Sequence, residues 1–434
     1  MTRATSLNRG LLALPDPATT RRAFLVGLGT AGLGACASNP VAGTLRAAET
    51  PEVPDGFREW VAAFRPRALG RGISAATYDR VMNSVVPETS VFKSDKSQPE
   101  TVEPIWRYVD RRTNEYNVAT GRKRIQEYAP LWDRIEARYG VDRYLLCALW
   151  GLESSFGDLV VSTKYMKPVM NCLAALAWGE PRRRTYWEAE LLNGLVIIDR
   201  GWAEPSGMIG SWAGAMGHTQ WMPEVWLNMG VDFDGDGKIN PFGKPDDALA
   251  GTARYMVERG KYRRGEAWGY EVSLAPGFDL GDADGKTRHT IAHWTARGMR
   301  RADGKPFPRS GDIARIWLPA GANGPAFALL QNFYAVRSYN PSNKYALAIC
   351  HLSDKIRGDG AFIHPWPTQE RLLTLAETQE MQEKLTAMGF DTGGADGRAG
   401  EKTQSALQAW QKSIGMTPAD GYPSDKVLTR LRGG

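Results

Sequence analysis

Ala148-Leu-Trp-Gly-Leu-Glu153-Ser-Ser-Phe-Gly157 sets one carboxylate at the end of an apolar run. The residues before it, Tyr144-Leu-Leu-Cys-Ala-Leu-Trp150, are apolar on every side, so the pattern predicts a buried helix rather than a half-exposed one. Asp142 stands where an N-cap would start that helix, and Gly157 lies just past where it would stop. A glutamate in a last turn is ordinarily solvated. This one differs in its flank, since no other charge falls between Arg143 and Asp158. The negative end of the helix dipole and burial both disfavour its anion, which predicts a raised pKa and a general acid.

Around this stretch, 434 residues with 42% hydrophobic content and 15 Trp suffice for about three domains with a sizeable core. The net charge is +6, and Arg3, Arg9, Arg21 and Arg22 against Asp16 place half of that excess within residues 1–35. The remainder gives no case for nucleic acid, whereas acidic polymers fit. Thr20-Arg21-Arg22-Ala23-Phe24-Leu25 and the Gly/Ala/Leu run after it read as a twin-arginine export signal over residues 1–36. Leu33-Gly34-Ala35-Cys36 is similar to a lipobox, making Cys36 a lipidation candidate, with ordinary cleavage after Ala37 as the rival. Residues 37–54 then form a tether. With Cys36 lipidated, Cys147, Cys172 and Cys350 remain, an odd number that argues against a disulfide framework.

Helical spacing runs from Phe57 to Gly140, with Pro130 starting the last helix, and again from Met170 to Arg200, where Trp187, Leu191, Leu195 and Ile198 share a face. Residues 265–325 read as irregular with a small β excursion. A Gly/Pro break at 358–367 opens a linker, placed at 357–372. The tail, 373–434, holds three amphipathic segments, Met381/Leu385/Met388, Thr403/Ala406/Leu407/Trp410/Ile414 and Val427/Leu428/Leu431. Asp396-Gly397 and Asp420-Gly421 precede the last two, a weak internal repeat.

Glu153-Ser-Ser-Phe-Gly157 followed by Ser211-Trp-Ala-Gly-Ala-Met-Gly-His-Thr-Gln220-Trp-Met-Pro223 resembles the membrane-bound lytic murein transglycosylase B family. Gln98-Pro-Glu100, Arg182-Arg183, Ala253-Arg-Tyr255 and Asn332-Phe-Tyr-Ala-Val-Arg-Ser-Tyr339-Asn-Pro-Ser-Asn-Lys-Tyr345 extend the match in family order. The tail resembles the peptidoglycan-binding domain type 1 through Gln382, Leu385, Gly389-Phe390, Asp396-Gly397, Thr403, Trp410-Gln411 and Asp420-Gly-Tyr-Pro423.

These resemblances imply a mainly α fold, with a lysozyme-like catalytic domain over 55–356 and a small three-helix C-terminal domain. They imply a lytic murein transglycosylase acting on peptidoglycan glycan strands. Glu153 would protonate the leaving oxygen and then deprotonate the muramic C6 hydroxyl, which closes onto C1 to give a 1,6-anhydromuramyl end. Ser211, Gln220, Tyr255, Tyr339 and Tyr345 are carried over as donors and walls of the glycan groove. Trp212, His218 and Trp221 depart from the family's Tyr, Tyr and Phe.

No cofactor is implied for catalysis. Asp232-Phe-Asp-Gly-Asp236-Gly-Lys238 is the front half of an EF-hand loop, yet its twelfth position is Gly243 rather than Glu. In the family a longer loop closes on an Asp before Ala, here Asp247, with Asp246 competing. Asp232, Asp234, Asp236, Lys238 and Asp247 are then candidates for a structural calcium. The implied compartment is the periplasm, as an outer-membrane lipoprotein or a soluble enzyme, with other cell-wall enzymes as partners. The rivals are a hydrolytic muramidase using Asp158 as second acid and a non-catalytic peptidoglycan scaffold.

Overall fold

The computed structural model describes residues 53–96, 103–159 and 166–433. The export and lipidation reading at 1–36, most of the tether and Gln98-Pro-Glu100 lie outside the described residues. Six helices lead up to the Glu153 stretch: α1 (Phe57–Gly70), α2 (Ala75–Ser84), α3 (Val91–Lys96), α4 (Ile105–Arg112), α5 (Glu115–Glu127) and α6 (Ala129–Tyr139). Their ends follow local chemistry. Ser74 and Asn114 accept the N–H of Thr77 and Asn117 to start α2 and α5, Pro130 sits in the first turn of α6, and Gly140 closes α6 at φ 68°.

Helix α7 (Arg143–Ser154) begins at Asp142, whose side chain accepts from Leu145 N, and every residue from Leu145 to Leu152 is buried. The helical block expected over Met170–Arg200 is two helices, α8 (Val169–Gly179) and α9 (Arg184–Asp199). Glu180-Pro181 separates them, because Pro181 brings no N–H to continue the ladder and starts a 3-10 turn instead. Two-residue strands β1 (Lys167–Pro168) and β2 (Ile209–Gly210) pair antiparallel. Helices α10 (Pro223–Met229) and α11 (Asp246–Glu258) follow.

The stretch read as irregular is more ordered than expected. Strands β3 (Gly269–Leu274), β4 (His289–Thr290), β5 (Met299–Arg301), β6 (Ile313–Trp317) and β7 (Ala326–Leu329) form an antiparallel sheet in the order β4-β6-β7-β3-β5. With α12 (Ile291–Ala296) it encloses its own core around Trp294, Met299 and Ile316. The chain then returns to the helical body as α13 (Gln331–Tyr339) and α14 (Asn343–Arg357), and α14 packs along α7.

Residues 359–373 contain no helix or strand, but they are fastened to the body. Glu271 accepts the N–H groups of Ile363 and His364 at 2.7 Å, and Phe362 stacks on His351. Beyond them α15 (Leu375–Ala387), α16 (Glu401–Ser413) and α17 (Asp425–Leu431) close on Met381, Leu385, Leu407, Trp410, Val427 and Leu428. Met388 and Ile414, expected in this core, are exposed, because both fall past the last helical turn. The internal repeat is real in hydrogen bonds. Gln382 clasps Gly397 N and Asp396, and Gln411 clasps Gly421 N and Asp420 in the same way. Cys147, Cys172 and Cys350 are buried free thiols. Among the described residues no helix is long and apolar enough to cross a membrane.

Candidate active site

Glu153 is half-buried in the last turn of α7. Three consecutive left-handed residues turn the chain away after it, Ser155 (φ 52°), Phe156 (φ 57°) and Gly157 (φ 94°). The helix therefore ends at Ser154, one residue after the glutamate, with Ser155 as its left-handed cap. Ser154 holds the turn by donating its hydroxyl to His218 O at 2.6 Å and accepting Gly157 N at 3.1 Å. A Cβ at Gly157 would lie 2.8 Å from His218 Nδ1, so glycine is required there for space as well as for φ. Phe156, fully buried, covers Gly151 one turn back in α7.

Tyr345, in the first turn of α14, donates its hydroxyl to Glu153 Oε1. Its ring is 1% exposed, and burial, followed by the charge of Glu153, raises its pKa well above the usual phenol range. Tyr345 thus stays a donor throughout the working pH range. Tyr339 donates to Thr219 O and stands T-shaped to Tyr255, whose hydroxyl donates to Ser338 O at 2.9 Å. Both rings are 3% exposed, so with Tyr345 they form the framework behind the carboxylate. Ser211 is buried, its Oγ accepting Ala215 N at 3.0 Å, and this pins the Gly-rich turn that ends at Gln220. Gln220 adopts φ 52° and donates to Gly217 O at 3.0 Å, remaining half-buried.

His218 ties this site to the Asp-rich loop. Its Nδ1 accepts Trp150 Nε1–H at 3.1 Å and its Nε2 lies 2.9 Å from Gly243 O. One neutral tautomer satisfies both contacts, and burial lowers the imidazole pKa. Asp232, Asp234 and Asp247 converge with ligand oxygens within 4.8 Å of one another. Asp247 is 4% exposed and accepts Phe233 N and Asn240 N, while burial raises its pKa. An all-oxygen cluster of this kind suits a hard divalent cation. Of the two competing aspartates, Asp247 lies in this cluster, whereas Asp246 pairs with Arg134 at 2.8 Å. Asp236 stands outside the cluster, exposed, its Oδ1 taking Lys238 N at 2.8 Å.

Asp158, the nearest second acid in sequence, is exposed and paired with Arg124 at 3.4 Å. Arg112 escaped the sequence reading because Asp110-Arg111-Arg112 looks like a solvated helix end. Its Nε and Nη2 are buried without a hydrogen-bond partner, and its Cζ lies 5.6 Å from the Tyr108 ring centroid. Burial lowers its pKa, opposed in part by the charges of Tyr108, Glu103 and Glu153.

A lone glutamate on a buried helix, backed by tyrosines and turned toward solvent, defines a lysozyme-like enzyme that cleaves glycosidic bonds by acid–base chemistry. The Transglycosylase SLT domain profile matches residues 56–354, and a peptidoglycan binding domain profile matches residues 374–431. The chain belongs to the transglycosylase SLT domain family and is a lytic transglycosylase. It is 29% identical over 278 residues to membrane-bound lytic murein transglycosylase B of Escherichia coli (strain K12), covering 64% of this chain and 73% of that protein. Among solved structures, SltB3 from Pseudomonas aeruginosa in complex with NAG-anhNAM-pentapeptide shares 41% identity at TM-score 0.81, over 87% of this chain and 100% of that one. Escherichia coli Slt35 in complex with calcium shares 26% identity at TM-score 0.59, over 68% and 92%.

Proposed function

We propose that this protein cleaves the MurNAc–GlcNAc β-1,4 bond of peptidoglycan without water, leaving 1,6-anhydromuramyl ends, with Glu153 as the single acid and base. Protonated Glu153 gives its proton to the departing GlcNAc O4 as the C1–O4 bond breaks. The resulting carboxylate takes the C6 hydroxyl proton as O6 bonds to C1, which returns Glu153 to its starting form. The observation that carries this reading is the Tyr345 hydroxyl seated on Glu153 Oε1, which orients the carboxyl for both transfers. The commitment of Asp158 to Arg124 favours it over a two-carboxylate hydrolase. The anhydro sugar in the SltB3 complex supports the same product class.

Ser211, Gln220, Tyr255 and Tyr339 shape the glycan groove, the first and the two tyrosines from behind its surface. Asp232, Asp234 and Asp247 hold a structural calcium that fixes the loop on which His218 rests. We assign residues 55–356 to catalysis, 357–372 to a linker and 373–434 to wall binding. Residues 1–36 direct export to the periplasm with acylation at Cys36, and 37–54 tether the enzyme to the membrane; the intact mass of the mature N-terminus checks this. Mass spectrometry of muropeptides released from purified sacculi tests the reaction. Anhydro products from the wild type and none from Glu153→Gln are expected; hydrated reducing ends instead would overturn it.

A further inference from the structure

Strand β3 carries a second set of chemically matched side chains that the cleavage reaction does not use. Glu271 and Ser273 stand two residues apart on β3, so both project from the face of the sheet opposite to Val272, which fills the small core around Trp294. The connection at 359–373 brings His364 onto that face. His364 Nδ1 lies 2.7 Å from Glu271 Oε1, and its Nε2 lies 3.2 Å from Ser273 Oγ. A carboxylate can only accept, so in the neutral ring Nδ1 carries the proton and Nε2 is bare. The Ser273 hydroxyl therefore donates to Nε2.

The three side chains stand in the order acid, imidazole, hydroxyl, at the distances by which a serine is made nucleophilic. Glu271 also accepts the N–H groups of Ile363 and His364 at 2.7 Å, which fixes the backbone from which the imidazole projects. Anchoring the connection needs only those two bonds and leaves the contact between His364 and Ser273 unexplained. The fourth component is a cation. Arg300 on β5 is the register partner of Ser273, so the two side chains leave the same face with their Cβ atoms roughly 5 Å apart. Arg300 is exposed, Ser273 is half-buried and the His364 side chain is 38% exposed, so a reacting group reaches all three from solvent.

We propose that Ser273, His364 and Glu271 form a second catalytic centre, one that hydrolyses esters of short acyl groups, with Arg300 facing the oxyanion. Ser273 Oγ bonds to the ester carbonyl carbon as its proton passes to His364 Nε2. The C–O bond to the alcohol then breaks, and the alcohol leaves with that proton. Water attacks the acyl-serine by the same exchange, releasing the carboxylic acid and restoring Ser273. Glu271 touches no substrate and is a positioning residue that holds the imidazole tautomer and balances its charge. A short polar acyl group suits this surface better than a long chain, whose burial needs apolar walls. The assignment is independent of the reaction at Glu153.

The test uses the full-length protein with 4-nitrophenyl acetate as the ester and a fluorophosphonate as a probe that bonds to an activated serine. Saturable hydrolysis is expected from the wild type, falling about a hundredfold or more in Ser273→Ala and in His364→Gln, because a nucleophile and its base act as a unit. Thermal melts establish that both variants fold. Peptide mass mapping is expected to find the phosphonyl adduct on Ser273. A wild type that hydrolyses the ester no faster than Ser273→Ala, turnover undiminished in folded His364→Gln, or the absence of an adduct on Ser273 overturns the proposal.

Discussion

Replacing Tyr345 with Phe removes one oxygen from a ring that is 1% exposed, and that oxygen is the donor to Glu153 Oε1. The substitution leaves no cavity, because the ring and its packing between α14 and α7 persist. What is lost is a hydrogen bond to an ionisable group, worth about 1.5–3 kcal/mol. At about 1.4 kcal/mol per factor of ten, kcat should fall by roughly ten- to a hundredfold. Because the phenol orients the carboxyl rather than the sugar, KM should stay close to that of the wild type. A carboxylate deprived of a donor holds its proton more tightly, so the pH profile of kcat/KM should move toward higher pH. Steady-state release of anhydro-muropeptides from a soluble glycan substrate across a pH series measures all three quantities. A kcat within twofold of wild type, with superimposable pH profiles, would refute the positioning role and leave Tyr345 as packing.

Gly157→Ala should destabilise the protein by about 2–4 kcal/mol through the left-handed φ and the contact with His218, read as a lowered denaturant midpoint with activity falling in parallel. Calcium should raise the melting temperature, by about 3 kcal/mol of stability at a hundredfold excess over Kd, and Asp247→Asn should abolish that response; a calcium-insensitive wild type would remove the metal assignment. Burial pushes the Asp354 carboxyl up to about 7 from 3.8. Between those values the folded state keeps a proton that the unfolded chain has released, so stability declines as pH rises through this window. Asp354→Asn should flatten that decline, which thermal melts from pH 4 to 8 would show.

The helix that ends in Glu153 was legible because its signals are local. Asp142 caps it, eight successive buried residues fill it, and a glutamate with no charged neighbour ends it. The donor to that glutamate was not legible as such, because Tyr345 lies 192 residues further on and one aromatic in a Tyr-rich motif looks like another. Arg112 is harder still, since a buried charge leaves no trace in spacing. The break between α8 and α9 carries a local signal, Pro181 within the charged run Glu180–Arg184. The sheet was blurred by strands of two to six residues, too short to display alternation. Its register depends on partners brought together by the fold.

The left-handed turn at Ser155 and Phe156 bears on how this enzyme responds to selection. Non-glycine residues in that conformation cost on the order of 1–3 kcal/mol each, and two in succession are held by the Ser154–His218 bond and by the seat of Phe156 against Gly151. A library screened for heat resistance alone would therefore enrich glycine at Ser155, whereas Phe156 would be kept, because burial of its ring outweighs the strain. The survivors would be sturdier and slower, because relief of the turn frees the end of α7 that aims Glu153.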